Sequence, residues 1–415
     1  MVNNNKGIIT GLDIGTSSVR IVMGQVSPDG DFRIIGAAEN PAEGISRGSI
    51  VSIEDAVSSI SATVEKCERM TGINIDKMVV GISGVHIKTL NSKGVIAVAK
   101  ANSQVEESDI ERALETAQAI ATPPNYEILH VLPTNYHLDD QRDLKDPVGM
   151  SGVRLEVETQ IIMGLSAQIK NLTKCIYRTG IDIEDLVFSI LATSEAVLTN
   201  KQKELGVAVL NIGNSTTSLA VFENGDVLHT AVLPVGAGHV TNDLAIGLRT
   251  SVATAEMVKL DQAMALADDV SKRDEVDLHK YSEEEKKGSY VYKKDIAGIA
   301  EARMEEIFKM ADAELKKVSK NGKLPAGIIL TGGGAKLPQV TDLAKQVFKL
   351  PVFLGLPTDK TLAIDKLNDP EFTTALGLVI WAYHNNSINR PIMPNLSSIR
   401  ETTEKIRGWF KALWP

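Results

Sequence analysis

The sequence predicts an α/β protein: a duplicated domain with inserted subdomains, followed by a C-terminal amphipathic helix. Three observations predict it. One strand–turn–strand phrase stands near the N-terminus and returns in the second half. The stretch 85–165 breaks the alternation of strands and helices, as an insertion would. The segment Glu404–Pro415 gathers its apolar residues on one helical face.

At 415 residues the chain is too long for one core, so two domains or halves are expected. Hydrophobic residues make up 43%, enough to fill both, whereas aromatics are only 4% and two of the three Trp fall within 409–415. The net charge is −9 and no Lys/Arg block interrupts the body, which argues against nucleic acid as a partner. Cys67 and Cys175 stand far apart among apolar neighbours, as reduced buried thiols do. Met1–Lys6 is polar and leads into a strand, so no signal peptide is expected, and no apolar run is long enough to span a bilayer.

Ile8–Asp13 reads as a strand, Gly15–Ser18 as a polar turn, Val19–Val26 as a second strand, and Pro28–Gly30 as the hairpin into Phe32–Ala37. Ser52 is expected to cap a helix through Val57, Ile60, Val64 and Cys67, with Asp55 completing a capping box and Gly72 ending it. Val79–Ser83 is a buried strand. Inside 85–165, Ile110, Ala113, Leu114, Ala117 and Ile120 mark one helix, closed by Pro123 and Pro124. Ser166–Thr179 and Glu184–Thr199 are helix-bearing, and Lys201–Lys203 is a polar bridge to the second half. There the phrase returns: strand Val207–Asn211, turn Gly213–Thr217, strand Ser218–Glu223, the type I′ pair Asn224-Gly225, and strand Val227–Leu233. Asp261–Lys294 is charge-dense, a surface edge, and Ala300–Lys320 is a long helix. Strand Gly327–Leu330 runs into Thr331–Ala335 and a helix ending near Phe348, and Glu371–Trp381 is a further helix. Asn385–Thr403 is polar, holds Pro391 and Pro394, and suits a flexible linker.

Small residues between two strands let backbone N–H groups and hydroxyls converge on an anion. Two such loops, one per half, can clamp the phosphates of a nucleotide, and Asp13 would then hold Mg2+, directly or through water. A third glycine loop, Gly332–Gly334, would let the backbone approach an adenine or ribose, although an ordinary strand-to-helix turn accounts for it as well.

The order of these pieces resembles the actin/Hsp70/sugar-kinase superfamily, which implies an actin-like (ribonuclease H-like) fold. Thr254–Lys259 is similar to the Glu-x-x-Lys segment of bacterial actins. Ile181–Thr199, Pro234–Asp243, Ile329–Pro338 and the position of the insertion resemble the FtsA family of bacterial cell-division proteins over roughly the whole chain. The resemblance implies subdomains 1A (1–84 and 166–200, with 367–384 returning to it), 1C (85–165), 2A (201–240 and 305–366) and 2B (241–304), then a linker (385–403) and a membrane-targeting helix (404–415). It implies ATP as ligand, with Gly15, Thr16, Ser17, Gly213, Asn214, Ser215 and Thr216 at the phosphates. Gly236, Glu256, Lys259, Gly332, Gly333, Gly334 and Lys336 would surround the nucleoside. It further implies self-assembly into filaments at the division site, and binding of the C-terminal tail of the division tubulin FtsZ near Lys293, Lys294 and Arg303. Other division proteins stay open as partners. Two departures weaken hydrolysis: Asn211 stands where Asp is usual, and Ala192 where a Glu or Gln positions water, with Glu195 one turn away.

The tail can be read without the resemblance. On a helix Ile406, Trp409, Phe410, Leu413 and Trp414 share one face and Lys405, Arg407 and Lys411 the other, the composition of an interfacial helix on anionic inner-membrane lipid. Docking on the protein's own core is the alternative. Each basic residue contributes about 1 kcal/mol near an anionic leaflet, and each buried apolar side chain at most roughly 1.5–3 kcal/mol. That makes a reversible anchor, which polymerisation would multiply. A sugar kinase or chaperone-type ATPase, or an actin-like pilus or secretion assembly protein, would share the loops but leave the tail unexplained.

Overall fold

The computed structural model describes residues 7–27, 29–99, 103–121, 123–283, 285–358 and 364–387. Lys405, Ile406, Arg407, Trp409, Phe410, Lys411, Leu413 and Trp414 lie outside the described residues. The described residues divide into a larger unit, within 7–89, Asn125–Leu129 and Met163–Tyr383, and a smaller one, within Leu90–Pro124, His130–Ile162 and 384–387.

The larger unit holds two five-stranded sheets of one design. In the first, β1 (Ile8–Ile14), β2 (Ser18–Val26) and β3 (Phe32–Pro41) form an antiparallel meander. A small hairpin of β4 (Ile45–Ser46) and β5 (Ser49–Ile50) leads to α1 (Ile53–Thr71), and β6 (Lys77–Ile82) then joins β1 in parallel. The smaller unit is built largely from β7 (Lys88–Ala97), α2 (Glu107–Ala121), β8 (Tyr126–Leu138), β9 (Gln141–Leu144) and β10 (Arg154–Leu165), whose sheet runs β7-β10-β8-β9. Ala113, Leu114 and Ala117 of α2 are buried, as the helical spacing predicts. After α3 (Ser166–Arg178), β11 (Asp182–Phe188) completes the first sheet in the order β11-β6-β1-β2-β3.

Two short helices, α4 (Ser189–Val197) and α5 (Asn200–Leu205), lead to the second sheet. Its meander is β12 (Val207–Ile212), β13 (Thr217–Glu223) and β14 (Asp226–Leu233). Then come α6 (Gly238–Leu248), α7 (Val252–Gln262), the hairpin of β15 (Glu275–Asp277) and β16 (Tyr290–Tyr292), and α8 (Lys293–Lys317). β17 (Ile328–Thr331), α9 (Val340–Phe348) and β18 (Val352–Leu354) complete the order β14-β13-β12-β17-β18, and α10 (Thr373–Ser387) follows. Val207, Ala208, Val209 and Leu210 are all fully buried, because a central strand covered on both faces needs a continuous apolar run. Asn224 and Gly225 take φ of 54° and 88°, the type I′ geometry their sequence predicts.

Local expectations fail at Ser52 and at Lys201–Lys203. Ser52 stands at the N-cap of α1, but its side chain makes no capping bond. Its backbone N–H instead donates to Gly44 O (3.1 Å), so the preceding hairpin fixes the start of the helix. The helix expected within Glu184–Thr199 is α4, which follows directly on β11, whose apolar end Leu186–Phe188 is buried in the sheet. Lys201–Lys203 is part of α5 rather than a bridge, and a Thr199/Gln202 capping box opens that helix.

Helices α4 and α10 cross with backbone against backbone: a Cβ built on Gly377 would lie 1.9 Å from Ala192 O. Beside the crossing, Thr193 and Thr374 share a hydrogen bond (2.9 Å), and Asn211 Nδ2 donates to both hydroxyls (3.3 and 3.0 Å).

Candidate nucleotide cleft

The turns after β1 and β12 are built alike. Gly15 N–H donates to Ser18 O (3.1 Å) and Gly213 N–H to Thr216 O (2.9 Å), each loop closing on itself just past its strand. Gly15, Thr16, Ser17, Gly213, Asn214, Ser215 and Thr216 all line one cavity of about 350 Å³, in the range of small-molecule sites. Gly236 does not line it. Gly236 lies under the second loop, where an added Cβ would meet Gly213 O at 2.4 Å, and Ala237 N–H and Gly238 N–H hold that loop through Gly213 O and Asn214 O (2.8 and 2.7 Å).

The third loop, Gly332–Gly334, lines the same cavity with Lys336, Leu337 and Pro338. Gly332 adopts φ of 82°, and a Cβ there would sit 2.3 Å from Asn211 Oδ1, so both conformation and space demand glycine. Across the cavity, Glu256 and Lys259 form an ion pair one turn apart on α7 (2.7 Å). Thr241 Oγ1 donates to Glu256 and accepts from Lys259 Nζ (2.8 Å), which fixes both side chains.

Asp13 faces Arg20 across the β1–β2 pair, and both line the cavity. Burial pushes the Asp13 carboxyl up to about 6, against the pull of Arg20. Asn211 occupies the equivalent position on β12, opposite Ser218. Its amide donates to two Thr hydroxyls, which an Asp could not do. Ala192 is buried and not among the lining residues. Glu195 is also not among them: it pairs with the buried Lys203 (2.7 Å).

Sequence reasoning missed Arg20, Ser83, Ser189, Glu371 and Thr374, which also line the cavity. Among them, Ser83 Oγ and Ser218 Oγ stand 3.1 Å apart, a hydrogen bond between the two sheets. The basic residues expected at a partner surface lie elsewhere. Lys293 and Lys294 open α8, where Lys294 pairs with Asp268 (3.2 Å). Arg303, one residue before the cavity-lining Met304, grips Asp243 with two bonds (2.6 and 2.9 Å) and also pairs with Glu306. Among the described residues no helix is long and apolar enough to cross a membrane.

Two sheets of one design, each ending its first hairpin at the same cavity, define an actin-like protein. The chain belongs to the FtsA family of cell division proteins. The family model "Cell division protein FtsA" matches residues 208–377, and "SHS2 domain inserted in FTSA" matches residues 84–163. The FtsA of Pseudomonas aeruginosa is 36% identical over 380 residues, 92% of this chain and 90% of that protein. The FtsA of Borreliella burgdorferi is 32% identical over 416 residues, 99% of this chain and 100% of that protein. Among solved structures, the PilM-PilN type IV pilus biogenesis complex aligns with a TM-score of 0.64 at 16% identity, over 90% of this chain and 98% of that one. MreB5 of Spiroplasma citri bound to ADP aligns with a TM-score of 0.54 at 13% identity, over 92% and 99%.

Proposed function

We propose that this division protein binds ATP in the cleft, assembles into filaments on the inner face of the cell membrane, and tethers the C-terminal tail of FtsZ there. The observation that carries the nucleotide reading is the convergence of three glycine loops from two sheets on one cavity. Gly15, Thr16 and Ser17 would hold the phosphates from one side and Gly213, Asn214, Ser215 and Thr216 from the other, with N–H and hydroxyl donors suited to anions. Gly332–Gly334, Glu256, Lys259 and Lys336 would surround the nucleoside. Gly236 would act from beneath, by bracing the second loop. A solved MreB5 of similar fold is bound to AMPPNP, which agrees with a triphosphate ligand.

The donor set around Asp13 fits Mg2+, a hard cation that takes oxygen ligands. Its carboxyl is held up by desolvation, which a divalent cation would offset, and Thr16 and Ser17 supply hydroxyl oxygens nearby. When bound, Mg2+ would neutralise phosphate charge. With Asn211 turned to the Thr hydroxyls and Ala192 buried, the cleft favours holding ATP over hydrolysing it.

Membrane attachment rests on the sequence of 404–415, whose Trp, Phe, Leu and Ile share one helical face. FtsZ binding rests on family membership and on Lys293, Lys294 and Arg303 along one helix. The test is co-sedimentation with vesicles containing anionic lipid. The full chain should pellet, and a chain lacking Glu404–Pro415 should stay in the supernatant. Equal pelleting of both would remove the tail as anchor.

A further inference from the structure

Three cations line the cleft, and each is already held by a carboxylate. Lys259 pairs with Glu256 (2.7 Å), and Lys336 with Asp369 (2.6 Å) and Glu371 (3.3 Å). Arg20 pairs with Glu39 (3.3 Å) and with Glu371. Among the described residues the lining carboxylates are Asp13, Glu256 and Glu371, which match the lining cations three against three. A nucleotide bearing several negative charges therefore meets no surplus of positive charge among the described lining residues.

Glu371 differs from the other two. It reaches two of the three cations, and they stand on different parts of the cleft: Arg20 on β2 beside the first phosphate loop, Lys336 in the third glycine loop. It also lies over the middle glycine of that loop, since a Cβ on Gly333 would stand 3.4 Å from Glu371 Oε1. We propose that Glu371 is an internal stand-in for nucleotide phosphate: it occupies Arg20, the cation beside the first phosphate loop, and ties it to Lys336 on the nucleoside side, so that binding here is an exchange of one anion for another. The proposal rests on the nucleotide reading given above.

The surroundings suit such an exchange. Ion pairs run Lys366–Glu39–Arg20–Glu371–Lys336–Asp369, alternating in sign. When Glu371 swings out, Arg20 keeps Glu39 and Lys336 keeps Asp369, so neither is left as an unpaired partly buried charge, the state that destabilises most. Lys336 keeps a partner that does not depend on Glu371, since its ammonium stands 2.6 Å from Asp369. The backbone of Glu371 is fixed, its N–H donating to Asp369 Oδ1 (2.9 Å) just after Pro370. Its side chain is 26% exposed and has room to leave.

The experiment measures dissociation constants for ATP by calorimetry, with Mg2+ and in EDTA, for the full chain and for Glu371→Gln and Glu371→Ala. Thermal unfolding checks that each variant is folded. Removing a like charge that competes with phosphate for Arg20 should tighten ATP binding in EDTA at least about tenfold, after discounting for solvent screening. The gain should be smaller with Mg2+, because the divalent ion already offsets the phosphate charge. Unchanged or weaker binding by both folded variants overturns the proposal, and a loss seen only with Mg2+ does so too, since it would make Glu371 part of a metal site. If the unsubstituted chain binds no ATP in either buffer, the nucleotide reading falls, and this proposal with it.

Discussion

Replacing Gly333 with Leu should abolish tight ATP binding while leaving the fold intact, and the third loop explains why this glycine is the informative one. An added Cβ at Gly332 meets Asn211 Oδ1 at 2.3 Å, and one at Gly334 meets Ile212 Cγ2 at 2.3 Å, so substitution at either disturbs the protein itself. Such overpacking typically costs about 1–3 kcal/mol. At Gly333 the first neighbour is Glu371 Oε1 at 3.4 Å, an ordinary contact, and its φ lies outside the left-handed range. A side chain at Gly333 would therefore enter the cleft rather than the core. An aromatic ring buries roughly 150–250 Å², worth about 4–6 kcal/mol at 25 cal/mol per Å². Losing half of that contact for the base weakens binding by about 2–3 kcal/mol, roughly 30- to 150-fold. Calorimetry gives the affinity, and thermal unfolding should show a clear loss for Gly332→Ala and Gly334→Ala but little change for Gly333→Leu. Gly333→Leu with normal ATP affinity and a normal melting temperature would refute the placement of the base against this loop.

Three further predictions follow from named contacts. Asp13 is raised from 3.8 to about 6, so its ionised form burdens the fold fully above pH 6 and not below pH 3.8; Asp13→Asn should stabilise the chain in EDTA at pH 8 by up to about 3 kcal/mol, and an equal gain at pH 4 would refute this origin. Under the proposed FtsZ role, Arg303→Glu breaks the two-bond grip on Asp243 and reverses the local charge; binding of an FtsZ tail peptide should fall at least about tenfold, and unchanged binding would move the docking surface elsewhere. Steady-state ATP turnover should stay far below the enzyme median of about 10 per second, because Ala192 offers no polar group and Glu195 is tied to Lys203; turnover near that median would show that another group positions water.

The parts of the cleft legible in the sequence are those made by local backbone. Gly15–Ser17 and Gly213–Thr216 are short turns between two strands, Gly332–Gly334 a turn from a strand towards a helix, and their composition reveals their geometry without knowledge of the fold. The repeated hairpin likewise foretold two matching sheets, since both copies carry the same apolar strands around the same turn. Arg20 and Glu371 were not legible, because they are 351 positions apart and nothing in either neighbourhood points to the other. Gly236 was placed against the ligand by analogy, whereas close backbone packing puts it one layer below. Ser52 shows the limit of capping rules: residue type was right, but the hairpin at Gly44 already fixes the chain there.

The bare crossing of α4 and α10 has a mechanical consequence. Where helices interlock through side-chain ridges, interdigitation sets the angle, and turning one against the other must jam or jump. At Gly377 no side chain stands between the two backbones, and glycine inside a helix is tolerated at about 1 kcal/mol for that closeness. Beside the contact stand the hydroxyls of Thr193 and Thr374 and the amide of Asn211, joined by three hydrogen bonds. Such a joint offers no interlocked ridge to turning, and it lies where a strand of the second sheet meets both helices.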